Sequence, residues 1–103
     1  MKDPIKFTGI VVTYNEENHL KECLTSLMFC DQLIVVDLGS TDRSIEISKQ
    51  CGAEIKHEKL VPIVEQIKER VVGFSRNDWI IFIDPDEVFP LDIVSWSPLI
   101  ESV

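Results

Sequence analysis

The sequence predicts an α/β protein with a mainly parallel, doubly wound sheet, and three observations carry that expectation. Short, β-branched apolar runs occur at Ile10-Val11-Val12, Leu33-Ile34-Val35-Val36 and Trp79-Ile80-Ile81-Phe82-Ile83. Uninterrupted runs of this kind suit strands covered on both faces. Amphipathic helical patterns separate them, and alternating strands and helices imply right-handed parallel crossovers. A polar cluster follows each of the three runs, where an open parallel sheet binds its ligands.

Taken in order, the first strand ends at Val12. Leu20, Cys23, Leu24, Leu27 and Met28 then recur at helical spacing as one apolar stripe. After the second strand, residues 41–51 read as a second helix burying Ile45, Ile47 and Cys51. Glu54 to His57, after Gly52, makes a weaker strand. Val64, Ile67, Val71 and Phe74 give a third helix that starts near Pro62, a first-turn position proline tolerates. The last strand follows. Beyond Glu87 the pattern breaks down, and residues 91–103 form a tail with room for a short helix but not another strand–helix unit. The chain is therefore expected to be a single domain, with a core over residues 6–90, that is a truncated piece or pairs with something else.

Composition narrows the classes of function. The 103 residues allow one compact domain, and a 45% hydrophobic fraction supplies a packed core. Eighteen acidic against 10 basic residues give a net charge of −8, which repels phosphate backbones and argues against nucleic acid. A phosphorylated small molecule can still bind an acidic surface through a divalent cation. Cys23, Cys30 and Cys51 form no C-x-x-C pair, and we expect a reducing, cytoplasmic compartment without disulfide or zinc. Residues 1–7 do not read as a signal peptide. No apolar stretch approaches the roughly 20 residues of a membrane span.

The polar clusters are Thr13-Tyr14-Asn15-Glu16-Glu17, Asp37-Leu38-Gly39-Ser40-Thr41-Asp42 and Asp84-Pro85-Asp86-Glu87. Singly, the first two read as helix N-caps, with Asn15 and Ser40 capping and acids complementing the helix dipole. Capping does not account for Asp37, a carboxylate that ends an apolar strand and wants a donor partner. In the third, an extended Asp84-Pro85-Asp86 would point both carboxylates the same way, towards Mg²⁺ or Mn²⁺. A solvated acidic turn is the alternative, since turns favour Asp and Pro.

Together, Val12-Thr13-Tyr14-Asn15-Glu16-Glu17, Val35-Val36-Asp37 with Gly39-Ser40-Thr41-Asp42, and Ile83-Asp84-Pro85-Asp86-Glu87 resemble family 2 glycosyltransferases in motif, order and spacing. Within them the chain is most similar to the TYNEE-type enzymes of bacterial polysaccharide and lipopolysaccharide core synthesis. The resemblance implies a Rossmann-like, three-layer α/β/α fold of GT-A type and a nucleotide-diphosphosugar donor, UDP above all. It implies inverting transfer to an acceptor glycan or lipid-linked saccharide. Tyr14 would stack on the base beside Val12 and Thr13, Asp37 would accept a base N–H, and Glu16 would lie near the ribose. Asp84 would contact the donor and metal, and Asp86 would ligate the metal. The catalytic base is expected in an acceptor-binding half beyond these residues, so the chain alone is expected to be inactive, and apolar surface left by that half could drive homodimerisation.

Departures from the family pattern stand at Leu38, where a small polar residue is usual, and at Lys68-Glu69, where a basic–Asn pair is usual. Lys68 keeps its candidacy for the nucleotide. Pro85 replaces an alanine. His19, Arg43 and Arg76 read as surface residues, His57 as structural or ligand-contacting, and Trp79 and Phe82 as core. Two rivals remain: a non-catalytic module of the same fold, and a haloacid-dehalogenase-type phosphatase, whose strand-then-D-x-D signature sits near the start of its fold. A dinucleotide-binding domain lacks support, because no G-x-G-x-x-G follows the first strand.

Overall fold

A computed structural model describes residues 6–59 and 71–89. Four strands form one wholly parallel sheet: β1 (Phe7–Thr13), β2 (Gln32–Asp37), β3 (Glu54–His57) and β4 (Trp79–Phe82), in the order β3-β2-β1-β4. Among the described residues, two complete helices lie between them, α1 (Leu20–Ser26) and α2 (Ser44–Gln50). The chain winds outward from β1 through β2 to β3, then returns to place β4 on the other side of β1. That reversal opens a crevice between the ends of β1 and β4.

The apolar runs become strands because both sheet faces are covered. On one face Val11, Leu33 and Val35 pack with Leu20, Cys23, Leu24 and Leu27 of the α1 segment, and Ile47 of α2 joins them. On the other, Ile10, Ile34, Val36 and Leu38 pack with Val71. Each fully buried aliphatic side chain here contributes about 1.5–3 kcal/mol relative to exposure. Most of the expected third helix lies outside the described residues, as does the 91–103 tail; Val71 is helical and buried, while Phe74 is exposed under the Lys56 ammonium.

Several local expectations are corrected. Met28 is 59% exposed, because α1 stops at Ser26 and the turns after it change the helical phase. In α2 the fully buried positions are Ser44 and Ser48, whereas Ile45, Ile47 and Cys51 are only partly covered. Ser48 Oγ donates to the Ser44 carbonyl at 2.9 Å, which satisfies a hydroxyl held away from water. Trp79 and Phe82 are half-buried, since β4 is the outer strand among the described residues.

The opposite pole of the sheet is tied by side chains. Gln32 Oε1 accepts from Thr8 Oγ1 at 3.1 Å and the Arg76 amide at 2.7 Å. Its Nε2 donates to Glu54 Oε2 at 2.9 Å and the Phe74 carbonyl at 3.2 Å. Arg76 pairs with Asp31 and Glu54, and Arg43 with Glu46, as expected of surface arginines.

Candidate functional site

β1 and β2 run in register from Thr8↔Gln32 to Thr13↔Asp37, so their last residues emerge side by side. Asp37 is only 1% exposed. Its Oδ2 accepts the Gly39 and Ser40 amides, both at 3.0 Å, and Gly39 reaches them with a φ of 101°, a left-handed value glycine adopts freely. Among the described residues, Asp37 Oδ1 has no hydrogen-bond partner, and neither has the buried Thr13 Oγ1 on the adjoining strand. Two orphaned polar atoms at one sheet edge are costly unless a ligand or water completes them.

Thr13 lines a pocket of about 600 Å³ with Val12, Tyr14 and Glu16 from the β1 side, Leu38 after β2, and Phe82, Asp84 and Glu87 from the β4 side among others; Asp37 lies behind Thr13 and Leu38 and is not part of the lining. Tyr14 is 43% exposed, a ring available for stacking. Leu38, read from sequence as a departure from the family, is buried and gives the pocket an apolar wall. Lys68 lies outside the described residues. Phe82 is a second apolar wall that sequence reading assigned to the core, because its partial exposure depends on strand order.

The acidic cluster takes a different shape from the extended one expected. The Glu87 amide donates to the Asp84 carbonyl at 3.0 Å, closing a turn with Pro85 and Asp86 at its centre. Proline pre-sets the φ that the first central position requires. The turn gathers the acids rather than scattering them: ligand atoms of Asp84, Asp86 and Glu87 lie within 4.8 Å of one another. Glu87 was not among the expected metal ligands, and only the turn brings it in. Like charges this close favour a bound cation, and an all-oxygen set suits Mg²⁺ or Mn²⁺. Asp86 does not line the pocket, whereas Asp84 and Glu87 do.

From below, Cys23 Sγ donates to the Asp84 carbonyl at 3.6 Å, and Ser26 Oγ accepts the Phe89 amide at 2.9 Å. Burial first, then the negative charges of Asp86, Glu87 and Asp84, push the Cys23 thiol up to about 12.

The capping expectation for Asn15 is overturned. His19 holds the α1 cap position without a side-chain bond, and the Glu16 carbonyl accepts the His19 and Leu20 amides. Ser40 likewise lies too early to cap α2: Arg43 precedes the helix, and Asp42 Oδ1 accepts the Ser44 amide at 2.9 Å. Both loops are instead tied to each other. His19 is exposed, as expected, and so is His57.

Among the described residues, no helix is long and apolar enough to cross a membrane. The sequence matches the profile of glycosyl transferase family 2 over residues 8–102. It is 35% identical over 85 residues to the SPbeta prophage-derived glycosyltransferase SunS of Bacillus subtilis, covering 79% of this chain and 20% of that one. It is 32% identical over 83 residues to an uncharacterized glycosyltransferase of Rickettsia bellii, covering 80% and 28%. The chain thus spans under a third of either relative. The fold is similar to that of Mycobacterium tuberculosis glucosyl-3-phosphoglycerate synthase in complex with Mn²⁺, UDP and glucosyl-3-phosphoglycerate, with TM-score 0.75, 24% identity, and 93% of this chain and 40% of that one covered. Staphylococcus aureus TarS 1–349 gives TM-score 0.74 and 24% identity, covering 95% and 33%. These likenesses identify the fold as the GT-A type, and the family match sets the phosphatase alternative aside. The chain belongs to glycosyl transferase family 2.

Proposed function

We propose that this chain is the donor-binding part of a glycosyltransferase that takes a nucleotide-diphosphosugar, with UDP as its nucleotide, in the cytoplasm. The observation that carries the reading is the orphaned Asp37 Oδ1, a buried acceptor on the residue paired with Thr13, which lines the pocket together with Tyr14. A uracil imide N–H meets the need of that oxygen, and a charge-assisted bond of this kind is among the stronger ones. Tyr14 stacks on the base, Val12 and Thr13 border it, and Glu16 faces the ribose side; Lys68, outside the described residues, stays a candidate nucleotide contact on the family resemblance alone.

Asp84, Asp86 and Glu87 fit a divalent cation by number, charge and spacing, and the pocket reaches two of them. When bound, Mg²⁺ or Mn²⁺ supplies Lewis-acid charge for a diphosphate leaving group. Asp84 also borders the donor, and Leu38 and Phe82 exclude water from the base side. In the reaction proposed, an acceptor hydroxyl oxygen bonds to the anomeric carbon while the bond from that carbon to the diphosphate oxygen breaks. The electron pair leaves on the diphosphate, and the acceptor proton passes to a base. In this reading residues 1–103 act as one donor-binding unit, and the base and the acceptor site, for a glycan or lipid-linked saccharide, belong to sequence outside it.

Calorimetric titration with UDP, GDP and ADP, with and without Mn²⁺, tests the proposal. UDP is expected to bind best, Mn²⁺ to strengthen it, and Asp86→Ala to remove the gain from metal. Equal affinity for all three nucleotides, or no binding, contradicts it.

A further inference from the structure

Asn15 has no contact with the pocket, yet it carries the densest set of bonds between the two loops that build it. Its φ of 52° is left-handed, a conformation asparagine tolerates better than most residues. Its Oδ1 accepts the Thr41 amide at 2.8 Å and the Asp42 amide at 3.3 Å. Its own amide donates to Ser40 Oγ at 2.9 Å. The next two residues continue the seam: the Glu16 amide donates to Ser44 Oγ at 2.9 Å and the Glu17 amide to Asp42 Oδ2 at 3.1 Å. Glu17 Oε2 returns to the Arg43 amide at 3.4 Å.

Ser40 is the shared member. Its amide donates to Asp37 Oδ2 while its hydroxyl accepts from Asn15. The chain of contacts therefore runs from the residue after Tyr14, through Ser40, to the carboxylate that leaves Oδ1 open. Exposed loops of this length move freely unless something ties them.

We infer that Asn15 is a positioning residue that couples the Tyr14 ring to the Asp37 carboxylate through Ser40, so that stacking platform and base acceptor are set as one unit before a nucleotide arrives. The inference rests on the proposed nucleotide site, but its geometric core does not. Pre-organisation of this kind lowers the ordering cost of binding.

Tyr14 is the sole tyrosine, so 3-fluorotyrosine labelling of the whole chain gives a single ¹⁹F resonance that reports on it alone. Asn15→Gly keeps the left-handed backbone and deletes the acceptor; Asn15→Asp keeps both; Ser40→Ala removes the bridge. In nucleotide-free protein, the Gly and Ala variants are expected to move the line towards free fluorotyrosine, and the Asp variant to leave it in place. Far-ultraviolet circular dichroism checks that each variant is folded. For UDP, Asn15→Gly, which deletes two neutral hydrogen bonds, is expected to weaken binding roughly tenfold, and Ser40→Ala, which deletes one, by about threefold. Asn15→Asp is expected to stay near wild type. An unchanged ¹⁹F line in folded Asn15→Gly overturns the inference. If wild type binds no UDP, the functional reading fails and the fluorine line still decides the coupling.

Discussion

The two ends of the sheet are built from similar polar residues and treated in opposite ways. At the end where the strands begin, buried Gln32 makes four hydrogen bonds, and Thr8, Ser75 and Asn77 complete one another around it. At the end where they finish, Asp37 and Thr13 keep buried oxygens with no partner, and three acids crowd one turn. The first end is closed and serves stability. The second leaves interactions open, as the proposed binding edge requires, and its loops are tied by the Asn15–Ser40 seam while the Asp37 and Thr13 oxygens stay unpartnered among the described residues. Strain and unmet polarity gather where a ligand acts, and the rest of the fold offsets them.

The largest expected effect comes from breaking the closed end. Gln32→Ala removes four bonds and leaves the Arg76 amide and Thr8 hydroxyl short of partners, so chemical denaturation is expected to show a loss of about 2–4 kcal/mol. UDP affinity of the folded fraction should not change. If binding falls as much as stability, the two ends are not separable.

Asp37→Asn is expected to do the reverse. Asparagine retains one oxygen for the Gly39 and Ser40 amides, so stability should shift by about 1 kcal/mol or less. Its amide donor would then face the base N–H, and UDP binding should weaken by about 100-fold in calorimetry. Smaller again, Glu87→Gln is expected to reduce the Mn²⁺-dependent gain in affinity without abolishing it, since Asp84 and Asp86 remain. A gain as large as wild type would remove Glu87 from the ligand set.

The smallest effect near neutrality is a pH dependence. Cys23 is pushed up from 9.0 to about 12 by burial and then by Asp86, Glu87 and Asp84, and Cys30 to about 11 by burial. The unfolded chain loses these thiol protons first, so their stabilising contribution is complete below pH 9.0 and declines as pH rises towards 11–12. Thermal melts should fall over that window, and less steeply in Cys30→Ala. A flat profile would contradict the burial of both thiols.

Much of this was legible in the residues themselves. Ile10 to Val12, Leu33 to Val36 and Trp79 to Ile83 announce strands because β-branched runs have few other stable homes, and Glu54 to His57 forms the strand expected. Asp37 was legible as an anomaly, a carboxylate closing an apolar run. What sequence misassigned depends on distant partners. Asn15 reads as a local cap, yet its oxygen serves amides 26 and 27 residues away. Sequence reading buried Ile45, Ile47 and Cys51 in the second helix, but the fully buried positions are Ser44 and Ser48, where their hydroxyls find partners. Asp84-Pro85-Asp86 suits an extended segment or a turn equally well by composition, and the Glu87 to Asp84 bond selects the turn that recruits Glu87.

The most direct measurement is a crystal structure with UDP and Mn²⁺, with data collected for the anomalous signal of manganese. We expect the uracil ring against Tyr14, its N3 within hydrogen-bond distance of Asp37 Oδ1, and an anomalous peak at the Asp84–Glu87 turn beside the diphosphate. A nucleotide bound elsewhere, with Asp37 Oδ1 still unpartnered, would contradict the account.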